Sequence, residues 1–448
     1  MRGGLREIYR RLHCLLNVCS VWRRVGLAKG TLWSVAIFYP MSGPIHNQAT
    51  NLSLQRAGGS ALHLAAIMSP SGPVNMEVLS EYASQFRTIN ISSCSCHSIR
   101  RLINKLLERG PPTSVSELSI QQDHPSDNHP QIPEQIVAHD SPRYPESIQL
   151  VHSVSVIRIK GAHLFWDTLA FSTRLVELRL QDLFLGSDSG FINLLLILSS
   201  VSQLQDLKLI SISTFHEATT PSTGADSSIS FSNSNLRVLL LEDFYFNTLK
   251  SFLTPAISGS YSLVLHPTQR ITQTHFSDGS ILDEVALEGL QGLLRRLPID
   301  RILIDCDEEF WWLEPMGFSG LLALMPSLKT LHLHSWDFGE NDWKGLERPH
   351  ESPSSVHYHS FPKLEGLHLT CVGIFDEGIK REVTSHSIQK MVLGANFASD
   401  EDESTLSDDV PEWGETLLDW LTSRVPNFRL ATDTYVPSEF RSDEWRLW

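Results

Sequence analysis

Read for the spacing of its apolar residues, the chain repeats one short phrase, apolar-x-x-apolar-x-apolar, along almost its whole length. Five copies carry leucine at all three positions: Leu175/Leu178/Leu180, Leu204/Leu207/Leu209, Leu236/Leu239/Leu241, Leu328/Leu331/Leu333 and Leu364/Leu367/Leu369. Looser copies fall between and around them, at Leu62/Leu64, Phe86/Ile89/Ile91, Val115/Leu118/Ile120, Val154/Ile157/Ile159, Leu263/Leu265, Ile299/Ile302/Ile304, Ile388/Met391/Leu393 and Val425/Phe428/Leu430. Successive side chains of a strand point to opposite faces, so the last two apolar residues of each copy share a face that must be buried. Each copy therefore predicts one short, half-buried strand. Between copies the apolar spacing changes to three and four, as in Ile99, Leu102, Ile103, Leu106 and Leu107, or Leu282, Val285, Leu290, Leu293 and Leu294. That period predicts amphipathic helices that cover the strands.

About thirteen strand-and-helix units at intervals of 21 to 39 residues predict an α/β fold of parallel strands joined by crossover helices. A doubly wound sheet has the same alternation, but such sheets mostly hold about 4–6 strands, which favours a stacked array. The leucine phrase resembles the leucine-rich repeat in its irregular form. The resemblance implies a curved solenoid over residues 61–433 with parallel strands on its concave face. The asparagine ladder of regular repeats is replaced here by Gln181-Asp182, Ile210-Ser211, Glu242-Asp243 and His334-Ser335. Four stretches break the pattern and are expected to be loop insertions: 121–148, 212–235, 340–362 and the acidic run 399–412. Residues 41–60 are expected to be a linker and 434–448 a C-terminal tail.

Composition narrows the function classes. A chain of 448 residues exceeds the roughly 250–300 at which a single core stops growing, consistent with a repeat array. Hydrophobic residues at 41% and charged residues at 19% predict a largely folded chain. The net charge of −15 argues against nucleic acid as the partner. Six cysteines without a C-x-x-C pair predict reduced thiols, hence the cytoplasm or nucleus, and neither a disulfide scaffold nor a zinc site. The longest apolar run, Phe191 to Leu198, falls far short of the ~20 residues that span a bilayer, so no membrane partner is expected. His13, Asn17 and Trp22 interrupt the apolar start, which does not read as a secretory signal.

Residues 12–37 carry a second resemblance. Leu15, Leu16, Val18, Cys19, Trp22, Arg23, Leu27, Ala28, Leu32 and Trp33 match the second half of the F-box, in which an apolar pair, Val-Cys, Trp-Arg, Leu-Ala and Leu-Trp follow one another. The family's opening Leu-Pro-x-Glu-Ile-Leu segment does not occur in this sequence. Leu12, Leu15, Leu16, Cys19 and Trp22 also fall on one face of a helix by spacing alone. Residues 1–40 thus resemble a partial, helical F-box-like segment. The resemblance implies a substrate receptor of a Skp–cullin–F-box ubiquitin ligase, with Leu15, Leu16, Val18, Cys19, Trp22, Arg23, Leu32 and Trp33 facing a Skp-type adaptor. The alternative is a leucine-rich-repeat interaction scaffold without ligase coupling.

In a solenoid the outward strand positions line one continuous surface, which is where a target protein is expected to bind. Arg158, Lys160, Arg179 and Lys208 predict a basic stripe on consecutive strands, followed by acidic Glu242 and Asp305. His332 and His368 complete the target-binding set. His332, His334, His368 and Asp305 are close enough in the pattern to be weighed as a metal site, but exposed strand histidines are far commoner than ligands, and no metal or cofactor is expected. Ser187-Asp188-Ser189-Gly190 and Gly317-Phe318-Ser319-Gly320 are not G-x-S-x-G, and neither a P-loop nor a G-x-G-x-x-G after a strand occurs. Cys94-Ser-Cys96-His97 reads as a loop before a helix. An enzyme is not expected, and no catalytic residue is assigned.

Overall fold

The computed structural model describes residues 2–38, 44–68, 76–123, 135–137, 140–164, 171–216, 230–231, 235–252, 256–257, 261–282, 285–306, 312–349, 361–397 and 412–442. Within them the last two apolar residues of every copy lie on a strand of one 15-stranded sheet. In chain order its strands are β1 (Val35–Phe38), β2 (Leu62–Met68), β3 (Phe86–Ser93), β4 (Glu117–Gln122), β5 (Val156–Lys160), β6 (Glu177–Ser187), β7 (Asp206–Phe215), β8 (Val238–Glu242), β9 (Ser262–His266), β10 (Ile299–Asp305), β11 (Thr330–His334), β12 (Asp337–Phe338), β13 (Gly366–Ile374), β14 (Lys390–Phe397) and β15 (Asn427–Leu430). Neighbours in sequence are neighbours in the sheet, except that β12 pairs beside β11 on β13, and every pair is parallel. The order never reverses, unlike that of a doubly wound sheet.

Thirteen α-helices lie among the described residues. Their buried residues, such as Leu102 and Leu106, Leu194 and Leu198, or Leu290 and Leu294, form one continuous cluster with the inward strand positions. Leu178, Leu207, Leu239, Leu331 and Leu367 are all fully buried there. Leu178 is in register with Leu207, Leu207 with Leu239, and Leu331 with Leu367. The predicted column is therefore present, with one register shift between Leu263 and Val264. At β2 the partners of Ile89 and Ile91 are Leu64 and Ala66, so the phrase there sits two residues later than Leu62/Leu64. The last copy lies at the sheet edge, where Leu430 is exposed.

One copy was hidden in the N-terminal segment. Trp33-x-x-Ala36-x-Phe38 has the same spacing; Ala36 pairs with Leu64, and all three residues are buried. The expected linker 41–60 is likewise largely a helix, Pro44–Ala57, whose Leu54 and Ala57 enter the core. Leu282 is exposed on a two-residue strand, and the helix after it begins only at Leu287, so the helical reading was one turn too long. Cys96 opens the helix Cys96–Leu106, capped by Ser95, and is not part of a loop.

The insertions are shorter than their expected bounds. Gln121–Gln122 end β4 and the helix Tyr144–Ser153 begins inside 121–148, while Ile212–Phe215 end β7. Glu340–Leu346 is a helix inside 340–362, and Glu412 begins another, Glu412–Arg424. The rest of these four stretches falls mostly outside the described residues, including all of 399–411.

The missing asparagine ladder has a replacement. Gly161, Asp182, Ser211, Asp243, Ser335 and Cys371 each follow the third apolar residue of a copy by two, and all six have positive φ, between 49° and 65°. Every unit from β5 to β8, and again at β11 and β13, thus turns through a left-handed residue. Asp and Ser tolerate that region better than branched residues because their short polar side chains bond locally. Ser211 Oγ donates to Asp243 Oδ2 at 2.7 Å, and Asp243 also accepts from Thr268 Oγ1 at 2.6 Å and Arg270 Nη1 at 2.8 Å.

Candidate functional site: the outer sheet face and the N-terminal helices

The helix Arg2–Val18 stops where Cys19 takes extended backbone, and Cys19 Sγ accepts from the Trp22 amide at 3.5 Å to cap the helix Ser20–Ala28. The single helical face read from Leu12 to Trp22 is therefore divided. Leu12 and Leu16 turn into the core, whereas Leu15, Val18, Val21, Trp22, Val25 and Leu32 are exposed, Trp22 by 54%. Leu16 and Trp33, expected to face an adaptor, are instead buried in the chain's own core. Trp33 Nε1 donates to the Gly26 carbonyl at 2.8 Å, and the Arg56 guanidinium lies 4.5 Å from its ring centre. A Cβ on Gly26 would collide with the Leu16 side chain, so glycine permits the close approach of the two helices. Arg23 is exposed but donates through Nε to the Leu16 carbonyl at 3.1 Å. Six of the eight residues, Leu15, Val18, Cys19, Trp22, Arg23 and Leu32, remain on the surface.

The face of the sheet away from the helices carries the expected target-binding residues. Arg158 pairs with Arg179 and Arg179 with Lys208 in the strand register, so the three cations do lie side by side. They do not form a free basic stripe. Arg158 grips Glu177 with two bonds of 2.7 and 3.1 Å and lies 3.6 Å from Glu117, while Lys160 pairs with Asp182 at 3.5 Å. Lys208 is half-buried. Acidic residues flank the basic ones at this end of the face, because Glu177 and Asp206 are register partners beside Arg179 and Lys208, and Glu117 stands in the same row across Val156. That row was visible in the sequence: Glu177 precedes Arg179 by two, and period two keeps both on one face. Arg158→Glu sets like charges against both glutamates and should lower stability by roughly 1–3 kcal/mol in a urea titration. A loss under about 0.5 kcal/mol would mean that the paired geometry contributes nothing.

The C-terminal residues cross this same face. Ala431 N completes the ladder of β15 by donating to the Leu393 carbonyl at 2.7 Å, and the chain then turns back, so that Cys371 Sγ approaches the Tyr435 carbonyl at 3.8 Å. Tyr435 takes the Arg429 guanidinium over its ring at 5.5 Å. The Phe440 ring stacks on His334 at 5.0 Å and meets His266 edge-on at 5.4 Å. Ser442 Oγ donates to Glu242, and its carbonyl accepts from Arg179 Nη2. Residues 431–442 thus run from the last strand back to β6, and residues 443–448 lie outside the described part. Between this segment and the final strands is a cavity of about 390 Å³ lined by His368, Lys390, Arg429, Tyr435, Pro437 and Glu439.

The histidines expected at an exposed surface are mostly covered. His332 and His334 are buried and His368 is half-buried. The His332 and His368 rings lie 4.0 Å apart, and His334 Nδ1 bonds to Thr370 Oγ1 at 2.8 Å. Burial holds His332 well below the usual imidazole pKa and brings His368 to about 4, assisted in both by the nearby Arg301 and Lys390 charges. Glu242 is buried too, and Asp305, half-buried, is in register with His334. Among the described residues no three His, Cys, Asp or Glu side chains are grouped to hold a metal, and no helix is long and apolar enough to cross a membrane. Compared with known proteins, the chain matches no protein-family model and no curated protein.

Proposed function

We propose that this chain is a protein-binding substrate receptor of a Skp–cullin–F-box ubiquitin ligase, built as a leucine-rich-repeat-like solenoid that holds its target on the outer sheet face. One observation carries the reading: Leu15, Val18, Trp22, Val25 and Leu32 are all exposed on the short helices and the turn after them, whose sequence resembles an F-box. A single exposed leucine is ordinary, but several large apolar side chains left exposed within residues 15–32, a tryptophan among them, fit a surface that another protein covers. The solenoid reading is supported by the strand order. Open twisted sheets rarely exceed about ten strands without curling, and 15 strands in unbroken sequential order with their helical cores in one cluster fit a stack of identical crossovers.

The burial of Leu16 and Trp33 favours a second reading, a scaffold without ligase coupling, because two of the eight adaptor positions are spent on the chain's own core. Co-purification separates the two. The full-length chain should capture a Skp-type adaptor, and Trp22→Ala should reduce capture at least tenfold while changing stability by no more than about 0.5 kcal/mol, as expected of a surface position. Absence of capture by the folded wild-type chain would leave the scaffold reading.

A further inference from the structure

We propose that residues 431–442 are a displaceable intramolecular occupant of the target-binding face, and that the partner recognised there is an extended protein segment whose aromatic side chain replaces Phe440 between His266 and His334. The inference rests on the reading of the outer face as the target surface, and is independent of adaptor docking.

The segment is held by a few separated seats rather than by continuous pairing. Its backbone bonds run mostly within itself, from Tyr435 N to the Thr432 carbonyl, Phe440 N to Pro437 and Arg441 N to Ser438. Its backbone joins the sheet through Ala431 N, which donates to the Leu393 carbonyl. Thr432, Asp433, Thr434, Ser438 and Glu439 are exposed, and Pro437 alone of residues 431–442 is fully buried. Few buried contacts and an exposed backbone describe the low end of local stability, from which segments that open are drawn.

What lies under the segment is unlike an ordinary solvent face. Leu303 points away from the helical core on the strand between those of His266 and His334, yet its exposure is 0%, and Val264 on the neighbouring strand is also buried. Phe440 sits on His266 and His334, on the two strands that flank that of Leu303. Beside it both ring nitrogens of buried His332 and the Nε2 of His368 lack hydrogen-bond partners among the described residues. An unpartnered buried polar group costs about 1–3 kcal/mol, so a segment that brings amides or hydroxyls over these rings gains over the present occupant. At the far end Arg179 Nη2 already donates to the backbone carbonyl of Ser442, and Glu242 accepts from the Ser442 hydroxyl. The face is therefore furnished for main chain plus one aromatic ring.

Gly394 is a further sign that the seat is built. A Cβ there would lie 2.6 Å from the Thr432 carbonyl, so only glycine lets the returning chain approach the sheet so closely.

A tethered occupant competes at an effective concentration of about 1 mM, so one with an intrinsic Kd of about 10 μM would weaken a partner's binding roughly 100-fold. The test uses the full-length chain and a fluorescent synthetic peptide of residues 435–442. Phe440→Ala should loosen the segment from its centre, and Gly394→Ala from its start. Both variants should bind the peptide at least tenfold more tightly than the wild type, with faster amide exchange across 431–442. Adding His334→Ala to Phe440→Ala should abolish the gain. Equal, weak peptide binding by all three proteins despite faster exchange would overturn the proposal, as would unchanged exchange in both variants. Adaptor capture, followed in parallel, should be the same in every variant; its loss throughout would count against the ligase reading and leave this inference standing.

Discussion

Leu331→Ala should lower the free energy of unfolding by about 2–5 kcal/mol, the range for emptying a leucine site in a core that relaxes only partly. Leu331 is fully buried, in register with Ile302 on one side and Leu367 on the other, so three adjacent units line the void. Each strand here pairs only with its immediate neighbours in the sheet, and the loss should therefore be read locally. Amide exchange in the strands Ile299–Asp305, Thr330–His334 and Gly366–Ile374 should accelerate, with little change in Phe86–Ser93, far along the sheet. Lys329→Ala is the control, since that side chain is 60% exposed and its ion pair with Asp300 is a surface one. A loss below about 1 kcal/mol for Leu331→Ala would mean that the position is not in the core as described.

Acidification should cost as much. His332, His368 and His386 all titrate below the ordinary 6.5, first because burial penalises the imidazolium ion. Around the first two, Arg301 and Lys390 add repulsion, and Glu439 works the other way at His368. Between the depressed pKa and 6.5 the unfolded chain binds protons that the native state refuses, so stability is full above 6.5 and falls with pH. For His368, which reaches about 4, the loss across that window is about 3 kcal/mol. Fully buried Glu382 acts in the opposite sense. Burial, with the Glu347 charge nearby, raises its pKa well above 4.5, so its contribution is full below 4.5 and is lost as pH rises. Urea midpoints from pH 7 to pH 4 should fall for the wild type and fall less for His368→Gln. Parallel curves would show that His368 does not titrate as a buried group.

How much of this was readable in one dimension depends on the range of the interaction. Period two in Leu178/Leu180 or Leu331/Leu333 specifies a buried face whatever surrounds it, because a one-residue slip would expose every leucine. All thirteen copies accordingly became strands in chain order. The fourteenth, Trp33/Ala36/Phe38, obeyed the same spacing but coincided with the F-box-like Leu-Trp pair, and only the strand pairing and burial brought it out. Left-handed turns at Asp182, Ser211, Asp243, Ser335 and Cys371 stood at a constant offset in the phrase, although only the backbone angles revealed them.

The surface was decided by the tertiary structure. Arg158 looked free until the register set it against Glu177 and Glu117, since a cross-strand pair is fixed by two strands and not by either alone. The path of residues 431–442 lay furthest from view. They carry no period, and Arg179 and Ser442 meet across 263 positions. Local patterning is repeated at every unit and so can be read from any one of them, whereas the docking of an irregular segment is a single match between distant residues that no local spacing encodes.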